Sequence, residues 1–185
     1  MILGIDHVGI AVRDAAGAAA TFERLWGRPA TAVEHLAEQA VRVCFVPDWA
    51  SAEANPAAAP LQDNPVDART ARSANDGGQR AIGMARLELL EPTGDGTPVG
   101  RFLARRGEGL HHVCFAVDDL ALELARLEAA GFEPIDRAPR RGHGGLVAFL
   151  HPKSAHGVLI ELLQRDAGPT IDDRRRTTEQ LPNDE

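Results

Sequence analysis

Two histidines and two glutamates recur at matching places in a sequence that repeats itself. The segment Ile5–Val12 returns in similar form as Leu110–Val117, and Leu87–Leu90 returns as Ile160–Leu163. Each copy thus supplies one imidazole early and one carboxylate late. The four residues are His7, Glu88, His112 and Glu161. Imidazole nitrogens and carboxylate oxygens are ligands of divalent transition metals. The repeat therefore predicts one metal site that both halves of the chain share.

The two histidines lie on predicted strands whose two faces differ. Val8 and Ile10 fall on one face, and His7 falls on the other face among small residues. This alternation is typical of a strand that packs on one side. His111 precedes His112 and should point to the opposite face of its strand. We therefore predict a structural role for His111.

A helix follows each histidine strand in the prediction. Asp14 is a suitable N-cap for a helix that stops at Gly27. Asp118 or Asp119 can cap a second helix that ends at Gly131. Asp14 and Asp119 keep the offset of the two histidines, since 112 − 7 = 119 − 14 = 105. The shared register favours a duplicated unit over a chance similarity.

Short strands complete each copy, but the copies differ in length. The predicted strands are Ala40–Val46 and Met84–Leu90 in the first copy, and Leu146–Leu150 and Val158–Leu163 in the second. From histidine to glutamate the first copy spans 81 positions and the second 49, an excess of 32. We interpret residues 48–80, rich in Ala, Pro, Asn, Asp and Gly, as an inserted mobile loop at a hairpin tip. The tail at 166–185 is predicted to be disordered.

Composition limits the class of protein. With 185 residues, 44% of them hydrophobic, the chain can bury a substantial core. The formal net charge of −7 argues against a nucleic-acid surface. No membrane segment or signal core is evident at the start, so we predict a cytoplasmic protein. Cys44 and Cys114 lie in apolar strand-like runs and are predicted to be buried, reduced thiols.

The chain resembles the methylmalonyl-CoA epimerases, which belong to the vicinal oxygen chelate superfamily with the glyoxalases. The segments that carry the resemblance are Ile5–Val12, Glu38–Val41, Glu88–Pro92, Gly107–His112, Phe149–Ser154 and His156–Leu162. They cover residues 3–164 apart from the insertion. The resemblance implies an α+β fold in which two βαβββ modules form a curved eight-stranded mixed sheet around a metal. It implies a single domain over residues 1–165, with modules at 1–95 and 108–165.

The resemblance also implies a reaction. Inversion at a carbon centre needs one proton removed and another delivered on the opposite face. By resemblance, Glu38 and Glu161 are the two acid/base groups, and Glu161 is also a metal ligand. Alignment of Phe45 with Phe149 places Glu38 opposite Gly142, so this carboxylate has no counterpart in the second copy. The sequence departs from the family at Ala40, where the family often has glycine.

The implied cofactor is one divalent ion per chain, with cobalt favoured and zinc, manganese, nickel or magnesium as alternatives. The implied substrate is an acyl-CoA, methylmalonyl-CoA or ethylmalonyl-CoA, and the implied assembly is a homodimer. Polar residues in the second copy are expected to meet the CoA phosphates or pantetheine, although a solvated charged loop explains them equally well. The predicted substrate-binding residues are Gln39, Arg140, His143, Lys153 and Ser154.

Three other functions stay open at this point. A glyoxalase-like lyase would use the same ligands on a different substrate. An extradiol dioxygenase would bind iron through two histidines and one carboxylate, which leaves the second glutamate unexplained. A metal-free binding protein of the same fold would have no need of four matched ligands.

Overall fold

The computed structural model describes residues 1–46 and 85–166. The insertion predicted at 48–80 lies outside the described residues, and so does the predicted tail except for Asp166. The strands are β1 (Ile2–Ala11), β2 (Glu34–Leu36), β3 (Val41–Val46), β4 (Arg86–Pro92), β5 (Gly109–Val117), β6 (Arg140–Gly142), β7 (Gly145–Leu150) and β8 (Ile160–Arg165). The helices are α1 (Ala15–Trp26), α2 (Pro98–Arg106) and α3 (Leu120–Ala129).

The strands form one eight-stranded mixed sheet in the order β2-β3-β4-β1-β5-β8-β7-β6. Each half of that order is a βαβββ unit, so the predicted α+β fold is confirmed. Within each unit the histidine strand pairs in parallel with the glutamate strand, β1 with β4 and β5 with β8. The two histidine strands pair with each other in antiparallel fashion at the centre of the sheet. This pairing brings all four predicted ligand strands together.

The sheet curls so far that its two edges approach each other. Strands β2 and β6 are opposite edges, and seven strand spacings in a flat sheet would separate them by roughly 33 Å. Instead, the Glu34 carboxylate on β2 lies 3.8 Å from Nδ1 of His143, in the turn after β6. The ring of His143 also stacks on Phe45 of β3, with centroids 5.0 Å apart. The curvature encloses the inner face of the sheet.

The helix caps largely follow the sequence prediction. The Asp14 side chain accepts a hydrogen bond from a backbone N–H in the first turn of α1, and Gly27 ends that helix with a left-handed φ of 65°. Asp119 caps α3 in the same way. Helix α3 ends at Ala129, before the predicted end at Gly131, which has a φ of 92°.

Helix α2 is an element that the sequence analysis did not predict. The Thr97 hydroxyl accepts a hydrogen bond from the Gly100 N–H, and Pro98 occupies the first turn. These are recognisable start signals, but the helix that follows has only nine residues. Its buried Val99 and Leu103 pack into a core cluster with residues of β1, β3 and β4. The helix therefore closes one end of the first module.

Helices α1 and α3 cover one face of the sheet, and the four predicted ligands lie on the other. Leu89 and Cys44 are buried against α1, whereas Leu162 and Leu150 are buried against α3. Because side chains alternate along a strand, Glu88 and Glu161, next to Leu89 and Leu162, point to the face opposite these helices. Both cysteines are buried and form no disulfide, as predicted.

Candidate metal centre

The four predicted ligands converge on the inner face of the sheet. The Nε2 atoms of His7 and His112 lie 3.2 Å apart. His7 Nε2 is 3.4 Å from Oε2 of Glu88 and 3.4 Å from Oε2 of Glu161. His112 Nε2 lies 3.3 Å and 2.9 Å from the same two oxygens. We call these four side chains the His2Glu2 cluster; they are the group of donor atoms within the described residues that can hold a metal ion.

The spacing of the donor atoms fits a single ion. Two atoms bound at roughly 2.0 to 2.2 Å to one ion, at tetrahedral or octahedral angles, lie roughly 2.8 to 3.6 Å apart. The five donor separations that involve an imidazole nitrogen run from 2.9 to 3.4 Å, and all four donor atoms lie within 4.8 Å of one another. All four side chains are buried, so an ion there would replace most of its water with protein ligands. The donor set and its geometry therefore suit a transition-metal ion.

Without a bound ion, both imidazoles of the cluster have a raised pKa. Burial alone would lower the pKa of His7, but the adjacent charge of Glu88 helps raise it well above the usual 6.5. Burial opposes the charge on His112 too, yet hydrogen bonds with Glu161 and Glu88 raise its pKa to about 9. Burial would raise the pKa of each carboxyl, but the imidazoles hold both below the ordinary value. Protons and a metal ion therefore compete for the same nitrogens.

This competition gives an expected pH dependence. A histidine whose pKa is raised by folding stabilises the native state below its unfolded pKa, and that contribution is lost as pH rises through the folded pKa. We expect the melting temperature of chelator-treated protein to fall between pH 6.5 and about 9, the range set by His112. Zinc affinity should rise over the same range, because fewer protons need to be displaced. Thermal melts and zinc titrations in matched buffers measure both trends.

The matched control for the pH trend is His112→Gln, which removes one titrating group. The melting temperature of this variant should change less across the same range. A native protein whose melting temperature stays constant from pH 6.5 to 9.5 would contradict the assignment of bound protons to the cluster.

Gly9 makes room for one of the imidazoles. Gly9 of β1 lies directly opposite His112 of β5 in the antiparallel register. A Cβ atom built on Gly9 would lie 2.2 Å from Cε1 of His112 and 2.4 Å from its Nδ1. Real Cβ atoms essentially never approach other atoms this closely. The small residue predicted on this face is therefore required by the position of the ligand across the strand.

Phenylalanine rings border the cluster in equivalent positions of the two modules. Phe45 meets His7 edge to face at 5.7 Å between centroids, and Phe149 meets His112 at 5.9 Å. The guanidinium of Arg140 lies 5.3 Å from the centre of the Phe149 ring. Apolar walls of this kind exclude water and strengthen electrostatic interactions inside the site.

The second nitrogen of each ligand histidine also has a partner. Nδ1 of His7 is 2.9 Å from Oδ1 of Asp6, whose carboxylate accepts two hydrogen bonds from Arg165. Nδ1 of His112 is 3.0 Å from Nδ1 of His111. The prediction that His111 points away from the site was wrong, because the pairing of β1 with β5 is irregular here, with a register shift between Gly9 and Ile10.

These neighbours differ in charge. Burial alone would raise the pKa of Asp6, but hydrogen bonds with His7 and Arg165 hold it well below the usual value. Burial and the charge on His112 lower the pKa of His111 to about 4. Asp6 is therefore an anion and His111 is neutral at physiological pH.

The predicted catalytic residue Glu38 lies outside the His2Glu2 cluster. It is exposed in a single 3-10 turn, Ala37–Gln39, between β2 and β3. No described residue gives its carboxylate a hydrogen bond or an ion pair. Ala40 ends the turn with a left-handed φ of 54°, a conformation that favours glycine. The family's preference for glycine at this position therefore has a backbone reason, and the catalytic role of Glu38 stays a prediction.

The predicted substrate-binding residues are dispersed around the second module and the edge of the first. Gln39 is half-buried in the 3-10 turn, and Arg140 forms an ion pair with Asp136. Lys153 is exposed, whereas the Ser154 hydroxyl donates to a backbone carbonyl and accepts from the Glu133 N–H. Of this set, His143 and Arg140 contact the phenylalanines that border the cluster. Binding of substrate by these residues stays a prediction.

Comparison with known proteins places the chain in a family. The model of the glyoxalase/bleomycin resistance protein/dioxygenase superfamily matches residues 6–149. The chain belongs to this superfamily. An ethylmalonyl-CoA/methylmalonyl-CoA epimerase of Cereibacter sphaeroides is 30% identical over 167 residues, which span 89% of this chain and 99% of that protein. Within the superfamily the chain therefore groups with the methylmalonyl-CoA epimerases, and the predicted resemblance is confirmed.

Solved structures of the epimerase family agree. A glutamate-to-glutamine variant of the Streptomyces coelicolor methylmalonyl-CoA epimerase, in complex with 2-nitronate-propionyl-CoA, superposes with a TM-score of 0.68 at 31% identity, covering 90% of this chain and all of that one. A methylmalonyl-CoA epimerase in complex with methylmalonyl-CoA and NH4+ gives a TM-score of 0.69 at 30% identity, covering 92% of this chain and 99% of that one. None of the helices in the described ranges combines the length and apolar character needed to cross a bilayer.

Proposed function

We propose that this protein is a metal-dependent epimerase that interconverts the two configurations of methylmalonyl-CoA by transferring a proton at the carbon between the two carbonyl groups. The observation that carries the proposal is the His2Glu2 cluster, in which two imidazoles and two carboxylates from four strands meet within 4.8 Å of one another. The membership of the chain in the epimerase family supplies the substrate class. Ethylmalonyl-CoA is the alternative substrate named for a relative.

The residues of the cluster would bind one divalent ion per chain. A mixed set of nitrogen and oxygen donors suits cobalt, zinc, manganese or nickel, with magnesium as a further alternative, and the resemblance to the epimerases favours cobalt among them. When bound, the ion supplies a Lewis acid that stabilises negative charge on the thioester oxygen. The buried, phenylalanine-lined surroundings keep water away from that charge.

The protein itself supplies two acid/base groups in this proposal. Glu38 would remove or return the proton on one face of the substrate carbon, and Glu161 would act on the other face. The two carboxylates have different settings, since Glu38 is exposed and unpaired among described residues whereas Glu161 is buried beside two imidazoles. This difference suits a reaction whose two half-steps use two separate acid/base groups.

The proposal includes a homodimer. Exposed apolar side chains on the first strand, Ile2, Leu3 and Ile5, offer a surface for a second copy. Sedimentation equilibrium distinguishes the dimer from a 19.8 kDa monomer.

Deuterium exchange tests the proposed reaction. Methylmalonyl-CoA of one configuration is incubated with the protein in D2O, and mass spectrometry follows deuterium entry at the carbon between the carbonyls. We expect exchange well above the rate without protein, loss of exchange after treatment with chelator, and recovery when cobalt is added. The comparison without protein is essential because this carbon also exchanges slowly by itself.

Two results would overturn the proposal. Absence of exchange in folded, metal-loaded protein would remove the epimerase assignment. Turnover of the thiohemiacetal of methylglyoxal and glutathione, without exchange on methylmalonyl-CoA, would assign the same cluster to a glyoxalase-like lyase.

A further inference from the structure

The strand that supplies Glu161 also supplies a group that acts on the opposite module. Arg165 ends β8, four residues after Glu161. Its Nε donates to Oδ2 of Asp6 at 2.8 Å, and its Nη2 donates to Oδ1 of Asp6 at 2.7 Å. Asp6 belongs to β1, in the first module. This ion pair therefore joins the two modules directly behind the cluster.

Asp6 also contacts His7, one of the proposed metal ligands. Its Oδ1 lies 2.9 Å from Nδ1 of His7, and the Asp6 side chain is almost completely buried. An ionised carboxylate only accepts hydrogen bonds, so His7 must carry its hydrogen on Nδ1. The lone pair of Nε2 then points toward the other donors of the cluster. The geometry fixes both the tautomer and the ring orientation of His7.

Within residues 1–46 and 85–166, the other ligand histidine has no such carboxylate beside its Nδ1. Residue 111 is the repeat counterpart of residue 6, since 111 − 6 = 105. Position 111 is a histidine, and its Nδ1 lies 3.0 Å from Nδ1 of His112. Both ligands therefore have a partner one residue earlier in the chain, but only the partner of His7 is anionic and itself held by an arginine.

We propose that Asp6, secured by Arg165, is a positioning residue that sets the tautomer of His7 and raises its strength as a metal ligand, so that the second module controls a ligand of the first. A carboxylate behind a ligating imidazole raises the basicity of the imidazole, and loss of such a partner typically lowers metal affinity about 10- to 100-fold. This inference rests on the proposed metal centre.

Zinc affinity of three variants tests the proposal, measured by competition with a chromogenic chelator. Asp6→Asn should weaken zinc binding about 10- to 100-fold, and Arg165→Gln should weaken it in the same direction but less. At a pH high enough to remove the second proton from His7, two-bond 1H–15N NMR spectra of the zinc-free proteins should show Nδ1–H on His7 of the native protein and a mixture of tautomers in Asp6→Asn. A residue that only supported the fold would not alter the tautomer.

Glu123→Gln is the matched control. Glu123 is also a buried carboxylate that accepts two hydrogen bonds from one arginine, Arg126, but it lies on α3. Its replacement should lower the melting temperature and leave zinc affinity unchanged.

The outcomes separate this inference from the proposed function. Failure of the native protein to bind zinc, cobalt or manganese would overturn the metal centre itself. Native zinc affinity in folded Asp6→Asn would overturn only the positioning role. Should Asp6→Asn fail to fold, Arg165→Gln decides, because Arg165 is partly exposed and its replacement leaves the carboxylate in place. Unchanged affinity and an unchanged His7 tautomer in Arg165→Gln would then overturn the proposal.

Discussion

Replacing Glu38 by alanine is expected to lower the turnover of methylmalonyl-CoA by about 100- to 10,000-fold while metal content stays at one ion per chain. The side chain lies outside the His2Glu2 cluster, so its removal leaves the donor atoms where they are. A general acid or base typically contributes a factor of this size. Metal content by atomic emission and turnover by coupled assay measure the two quantities on the same sample.

The control for this variant is Glu128→Ala, which removes an exposed glutamate from α3. Its turnover should match the native protein. Loss of the ion in Glu38→Ala would mean that Glu38 supports the metal centre. Native turnover with a full complement of ion would mean that another group carries the proton.

Replacing Gly9 by alanine is expected to lower zinc affinity by about 100-fold or more and to lower turnover in parallel. The new methyl group would occupy space within 2.2 Å of the His112 ring. His111 and Phe149 contact that ring on other sides. The ring therefore cannot move away from the methyl group without displacing its Nε2 from the other donor atoms. Errors of about 1 Å in a ligand position are enough to disable a site.

Gly96→Ala is the matched control for the glycine variant. A Cβ atom at Gly96 meets no atom within 4 Å, so zinc affinity and turnover should stay at native values. A crystal structure of Gly9→Ala should show the imidazole of His112 rotated or displaced. Native zinc affinity in Gly9→Ala would contradict the close packing of Gly9 against His112.

Much of the fold follows from the internal repeat. The equal offset of His7 with His112 and of Asp14 with Asp119 predicted two equivalent strand–helix units, and both helices begin where the aspartates indicated. The convergence of the four ligands also followed, because equivalent strands of a duplicated unit meet around a pseudo-twofold axis. Periodicity and register are local in sequence, which is why they could be recognised without coordinates.

The surroundings of the cluster could not be predicted in the same way. Asp6 adjoins His7 in sequence, but regular strand geometry would turn it to the opposite face. Arg165 lies 159 positions from Asp6, so no local pattern connects the two residues. The error over His111 has the same origin, since an irregular strand register changes which neighbours face each other. Helix α2 was missed because nine residues give little periodicity to recognise.

The proposed ion would join residues from nearly opposite ends of the described sequence. His7 and Glu161 are separated by 161 − 7 = 154 positions, so the centre is complete only after the last strand has been added. Binding to the folded state alone adds about 2.7 kcal/mol of stability when the free ion is at 100 times its Kd. A cell short of this ion would therefore lose abundance of the protein along with its catalytic rate, as unfilled chains are cleared faster.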